Sequence, residues 1–239
     1  MNNMKLTSLS LAMVMAFSTQ ATTKNDDIEN IEVVGSYIKG YGAHDASGAS
    51  RLDLAIVDIP QSVSVVTSAQ MDDFQLKDIN AVLDTATGVM VERIETDRTY
   101  FTARGFDITN FQIDGVGLPL TAGNNHADED TAIYDRIEII RGANGLMTGV
   151  GNPSATVNFI RKRPEASSAL NLTGSYGSWN NKRLEVDGTL VVNEDLAFRG
   201  VAVAQDRESY LDRYQTDKSV LYFFVDYNLT ESTNLSLSH

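Results

Sequence analysis

The sequence predicts a compact α+β unit followed by the first antiparallel strands of a transmembrane β-barrel, with the barrel incomplete. Three observations carry this reading. The N-terminus has the form of an export leader, the middle mixes short strands with helical stretches, and the last third alternates apolar and polar residues with period two.

Composition narrows the function classes. The 239 residues carry 19 basic and 32 acidic side chains, a net charge of −13, so the basic stripe that binds nucleic acid is absent. With no cysteine there are no disulfide scaffolds, thiolate metal sites or cysteine nucleophiles. The histidines, His44, His126 and His239, are too scattered to predict an imidazole-built metal site. A hydrophobic content of 42% is enough for a packed core.

Residues 1–21 read as a secretory signal peptide: Lys5 is the basic n-region, Leu6 to Phe17 the apolar stretch, and Thr19-Gln20-Ala21 the small-residue cleavage region. The apolar stretch is too short to span a membrane. Residues 22–54 form a polar, glycine-punctuated tail. Its β-prone patch, Ile28 to Gly35, suits addition to an open sheet edge of another protein, although the residues alone favour a plain disordered leader.

Residues 55–164 form the α+β unit. Ser62 to Val66 reads as a strand, and Ser68 caps a helical turn through Phe74. Lys77 to Thr87 reads as a helix with Ile79, Val82, Leu83 and Ala86 on one face, closed by Gly88. Strands follow at Val89 to Arg93, Tyr100 to Arg104 and Phe111 to Asp114, the last ended by the tight-turn pair Asp114-Gly115. A helical turn over Asp130 to Tyr134 precedes strands at Ile137 to Ile140 and Val157 to Ile160. The glycine-rich stretch from Gly142 to Pro153 lacks the lysine and the following helix that phosphate binding needs. Asp128, Glu129 and Asp130 read as a solvated acidic loop, and no histidine sits in a catalytic setting, so no enzyme activity is predicted.

From residue 165 the pattern is strand-like. Leu184, Val186, Gly188, Leu190 and Val192 alternate with Arg183, Glu185, Asp187 and Thr189. Leu170, Leu172, Gly174 and Tyr176 alternate with polar neighbours, Phe198 to Ala204 is a strand with unassigned faces, Val220 to Leu229 is a fourth, and Leu235 begins a fifth. Strands of about ten residues, apolar on one face and charged on the other, suit a wall between lipid and an aqueous lumen. The connections are a tight turn at Asn193-Glu194-Asp195 and a long charged one from Asp206 to Ser219. A soluble antiparallel sandwich also alternates. The leader, strand length and charged inner face favour the barrel.

Taken in order, several motifs resemble the TonB-dependent outer-membrane receptors, specifically the ferric-siderophore receptors. They are Asp58-Ile59-Pro60-Gln61-Ser62-Val63, Ala103-Arg104-Gly105-Phe106, Gln112-Ile113-Asp114-Gly115, Arg136-Ile137-Glu138-Ile139-Ile140-Arg141-Gly142 and the run from Gly145 to Asn158. Within the family, Met147-Thr148-Gly149 through Ser154 and Tyr176-Gly177-Ser178-Trp179 resemble the hydroxamate (coprogen, ferrioxamine) and ferripyoverdine branch.

The resemblance implies specific roles. Residues 1–21 are the signal peptide, 22–54 a flexible tail with the TonB box, 55–164 the plug domain and 165–239 a partial barrel of about four strands, against about 22 in a complete barrel. Ile31, Glu32, Val33 and Val34 resemble the TonB box, which pairs with TonB. Arg98, Tyr100, Leu118 and Leu120 fall in the plug apical loops that contact a siderophore, and Arg104 and Arg141 match plug arginines that pair with glutamates on the barrel wall. Iron arrives as a ferric-siderophore chelate, so no cofactor and no protein metal ligands are implied. The implied partners are TonB, a ferric siderophore and outer-membrane lipid, and the implied location is the bacterial cell outer membrane. The tail is too short for an added signalling domain. The alternatives are a TonB-dependent receptor for another cargo (cobalamin, haem or a glycan) and a non-transporting periplasmic plug-like fragment.

Overall fold

The computed structural model describes residues 40–43, 45–48, 54–95, 98–118, 129–143, 153–230 and 232–239. The chain divides into units Met1–Gly35 and Ser36–His239, and every described residue lies in the second. The expected leader, the patch containing Ile31, Glu32, Val33 and Val34, and residues 144–152 of the glycine-rich stretch lie outside the described residues.

In chain order the α+β part comprises β1 (Asp45–Ala46), β2 (Leu54–Ala55), a 3-10 turn (Ile56–Asp58), β3 (Ser62–Thr67), α1 (Ser68–Asp73), α2 (Ile79–Thr85), β4 (Val89–Arg93), β5 (Thr99–Ala103), β6 (Phe106–Asp107), β7 (Asn110–Ile113), β8 (Val116–Gly117), a 3-10 turn (Thr131–Ile133), β9 (Tyr134–Arg141) and β10 (Ala155–Arg161). The main sheet runs β3-β9-β10-β7-β8 and is antiparallel except for the parallel β10–β7 pair. One of its faces packs Val66, Ile137, Ile139, Val157 and Phe159 against Met71 of α1 and Ile79, Val82 and Leu83 of α2. The predicted three- and four-residue spacing in α2 is what buries those last three side chains together. Asp114 and Gly115 turn β7 into β8 with φ of 49° and 77°, the left-handed pair that a two-residue hairpin needs.

Both helices are shifted from the sequence reading. Thr67, still extended at the end of β3, caps α1 by accepting from the Gln70 amide at 3.3 Å, a role expected of Ser68. In α2 the Asp78 carboxylate takes the Ala81 amide at 2.9 Å, and the helix ends at Thr85 because Ala86 is already extended. Gly88, at φ of 77°, supplies the turn into β4 rather than the helix cap.

The C-terminal part is an antiparallel meander of β11 (Ala169–Gly177), β12 (Asn181–Val191), β13 (Leu196–Glu208), β14 (Gln215–Thr230) and β15 (Thr233–Ser238). The strands outrun the sequence reading. Most of the predicted loop from Asp206 to Ser219 is strand, with Gln205 opposite Lys218 and Arg207 opposite Thr216, so only 209–214 connect β13 to β14. Polar residues extend the hairpin instead of ending it, because a strand rising past the apolar band no longer needs apolar side chains. Leu172, Leu184, Leu190, Leu221 and Leu237 project from one face and are exposed, as a lipid-facing surface is.

The other face is mixed. Arg183, Glu185 and Asp187 are buried there, as the alternation predicts, and Arg199 of β13 joins them. Val201, Val203, Tyr222 and Phe224 share it, packing with Ala132 and Ile133 of the α+β unit. These contacts assign the faces of β13. They also correct the expectation of a charged inner face: charge network and apolar cluster lie side by side.

Candidate functional site

Two buried ionic clusters join the α+β unit to the sheet. Asp130, which caps the Thr131–Ile133 turn through the Ala132 amide at 3.0 Å, receives both Arg183 Nη atoms at 2.7 and 2.8 Å. Arg183 also donates to Glu185 at 2.9 Å, while Lys218 lies 3.7 Å from Asp130 and Lys77 lies 3.8 Å from Glu185. Burial pushes the Asp130 carboxyl upward, but hydrogen bonds from Arg183 and the Ala132 amide outweigh it and hold the pKa below its ordinary value. The second cluster centres on Asp187, which accepts from Lys162 at 2.7 Å and from Arg199 at 2.9 Å through two nitrogens. Arg199 continues to the Arg163 carbonyl at 2.8 Å, and Tyr222 donates to the Lys162 carbonyl at 2.9 Å. Arg161 links Asp114 to Ser238 of β15.

Asp130 and Glu129 were not legible as site residues, and the solvated-loop expectation is corrected for both. Asp130 is buried, and Glu129 accepts a hydrogen bond from the buried Tyr134 hydroxyl. Burial, followed by the Glu129 charge and hydrogen bond, raises the Tyr134 pKa. The available signal was the alternation itself. Arg183, Glu185 and Asp187 occupy inward parity, so charges in that position required opposite partners from the preceding unit.

Arg98 and Tyr100 come to the same side of the β4–β5 hairpin. Thr99, Phe101 and Ala103 turn inward, leaving Tyr100 half-buried on the other face, and Arg98 pairs with Glu95 at the exposed tip. Leu118 stands apart: half-buried, it packs against the core, with its amide bonded to the Phe111 carbonyl at 2.8 Å. Leu120 lies outside the described residues.

Arg104 packs beside Gly142, the residue that follows Arg141. Arg104, at φ of 54°, lays its guanidinium over Gly142, so close that a Cβ there would stand 2.8 Å from Nη1. Arg141, the preceding residue, donates to Ser62 and Ser64 at 2.6 and 2.9 Å and to the Thr87 carbonyl. Its bonds among the described residues thus lie within the α+β unit. Those residues contain no cluster of three or more His, Cys, Asp or Glu able to hold a metal ion.

Residues 55–156 match the family profile described as TonB-dependent Receptor Plug Domain. The ferripyoverdine receptor of Pseudomonas aeruginosa is 39% identical over 96% of this chain, which spans 28% of that relative. The ferrioxamine receptor of Yersinia enterocolitica is 29% identical over 95% of this chain and 33% of its own length. Among solved structures, the pyoverdine outer membrane receptor FpvA of P. aeruginosa bound to pyoverdine has a TM-score of 0.78 at 38% identity, covering 83% of this chain and 30% of that one. The alcaligin outer membrane receptor FauA of Bordetella pertussis has a TM-score of 0.75 at 42% identity, with 83% and 35% covered. The α+β unit on the inner face of an alternating sheet, the ordered motifs and these matches agree: the chain belongs to the TonB-dependent receptors of the outer membrane, with residues 55–156 as their plug domain.

Proposed function

We propose that the chain is the N-terminal part of a receptor that binds a ferric siderophore and imports it with energy from TonB. The observation that carries this is the plug seated on the inner face of the barrel wall through the Asp130–Arg183 and Lys162–Asp187–Arg199 clusters. Such a contact blocks a lumen while keeping polar partners that water can replace. In this reading Ile31, Glu32, Val33 and Val34 pair with TonB, and tension on the tail remodels the plug. Arg98 and Tyr100 offer a cation for an anionic chelate and a ring for its organic frame, and Leu118 and Leu120, later in the sequence, add apolar contacts. Arg104 and Arg141 pair with carboxylates from further along the barrel wall, Arg141 in addition to its bonds to Ser62, Ser64 and Thr87. The chemistry is binding and passage, without catalysis, and iron is cargo held by its chelator.

The test is growth under iron limitation with ferric hydroxamates or ferripyoverdines as sole iron source. Deleting the gene should abolish growth on one of them, and unchanged uptake on all would overturn the reading. A second reading, the same architecture with a different metal chelate, is favoured by one relative, the metal-pseudopaline receptor CntO of P. aeruginosa, 30% identical over 83% of this chain. Binding of the purified receptor to a panel of chelates separates the two.

A further inference from the structure

We propose that Glu138 is a clasp holding the segment that leads out of the tail onto the plug, and that its release uncovers a polar face of the plug sheet. Glu138 lies in the middle of β9 and is fully buried. Its carboxylate accepts from the Gly48 amide at 2.7 Å, the Ser47 amide at 3.3 Å, Asn158 Nδ2 at 3.1 Å and Arg136 Nε at 2.9 Å. Arg136 in turn lies 3.7 Å from Asp45. Two successive backbone amides and one acidic side chain of the 45–48 segment are therefore held by a single ion pair.

The fit requires glycine. A Cβ at position 48 would stand 2.7 Å from the Glu138 carboxylate and 2.9 Å from both Asn158 Nδ2 and Ile140 Cδ1. Asn158 passes the connection on, accepting from the Gly115 amide at 2.9 Å, so the clasp reaches the β7–β8 turn. By register, Glu138, Asn158 and Gln112 lie side by side on one face of the sheet, and Thr156 follows on the same face. Gln112 Oε1 and Thr156 Oγ1 are buried there with no hydrogen-bond partner among the described residues. Opening this face lets water reach polar groups, which offsets part of the lost packing.

The two ends of the plug are held differently. Near the barrel, the clusters around Asp187 and Asp130 bind plug to wall. At the tail end, among the described residues, the Glu138 clasp and a small apolar patch of Ala46, Ile59 and Ile140 bind the end of the tail to the plug. Tension from the tail loads the clasp before the wall contacts. Charge-assisted bonds to amides are strong but short-ranged, so they fail once displaced. This deepens the import reading and rests on it for the source of the tension.

These 239 residues contain no cysteine, and any cysteine of the full receptor beyond residue 239 is replaced by serine, so that single introduced thiols report cleanly. Ala46→Cys reports the clasped segment and Val157→Cys the main core, both native residues being fully buried. Each is introduced into the full receptor in outer membranes, and labelling by a membrane-impermeant maleimide is timed without chelate and without TonB. Glu138→Gln removes the clasp from one side and Gly48→Val from the other. Either should speed labelling at position 46 by about tenfold or more while leaving position 157 protected. Unchanged labelling at 46 in both variants, or equal acceleration at 157, overturns the proposal. A failed clasp leaves the import reading intact, because uptake is measured separately. Unchanged uptake on gene deletion would fail that reading and leave the clasp labelling as it stands.

Discussion

Replacing Asp130 by alanine should loosen the plug from the barrel wall more than any other single removal of a surface-like acid. The carboxylate is fully paired in its site, with two bonds from Arg183 and one from the Ala132 amide. Removing one member of a buried pair costs about 3–5 kcal/mol, because the other charge stays buried. Glu185 still holds Arg183 at 2.9 Å, which places the loss near the lower end, about 3 kcal/mol. Lost capping of the Thr131–Ile133 turn adds about 1 kcal/mol. Native-state hydrogen exchange reads this at the Lys162 amide, which donates to the Ile133 carbonyl at 2.9 Å and does not touch Asp130. Together these losses come to about 4 kcal/mol, so its local opening should rise about 1,000-fold. A double-mutant cycle with Arg183→Ala isolates the pair and should show coupling of about 2 kcal/mol or more. An acceleration below about threefold, or strictly additive single changes, would refute the reasoning. The pH dependence has a definite sign. A carboxyl whose folded pKa is lowered adds stability above its unfolded value of about 4, and that stability is lost as pH falls through the lowered folded value. The wild-type seam should therefore hold at neutral pH and loosen only in acid, and Asp130→Ala should weaken that acid response, the part carried by Asp187 remaining.

Three further outcomes follow from the same geometry. Arg141→Ala removes the bonds to Ser62, Ser64 and Thr87 and should destabilise the β3 edge by about 1–3 kcal/mol, read as faster exchange confined to residues 62–67. Phe224→Ala, in the dry cluster with Val201 and Val203, should cost about 3–5 kcal/mol in thermal or denaturant unfolding. Leu221→Arg, on the exposed outer face, should cost about 2–4 kcal/mol in a bilayer, measured by denaturant unfolding in vesicles.

Much of the fold was legible because it follows short-range rules. The spacing of Ile79, Val82 and Leu83 placed α2 on the core, Asp114-Gly115 announced the β7–β8 turn, and period two in β12 separated Leu184 and Leu190 from Arg183 and Asp187. What escaped depends on partners distant in sequence. Asp130 looks solvated until Arg183, 53 positions on, is brought against it. The near partners of Arg141 escape in the same way: Ser62 and Ser64, nearly 80 positions earlier, sit beside it across the β3–β9 pair. The faces of β13 stayed unassigned because Val201 and Val203 face inward, where alternation alone predicts polar residues. Their reason is Ala132 and Ile133, which no local pattern reveals.

The account stands on which side of the alternating sheet meets lipid. With every tryptophan of the full receptor replaced by phenylalanine, Trp179 included, a new one is placed at Leu190 or at Val201. In vesicles of brominated lipid, fluorescence at 190 should be strongly quenched and at 201 should not, since Leu190 projects outward and Val201 lies against the plug. Equal quenching at both positions, or quenching only at 201, would contradict the arrangement of wall and plug described above.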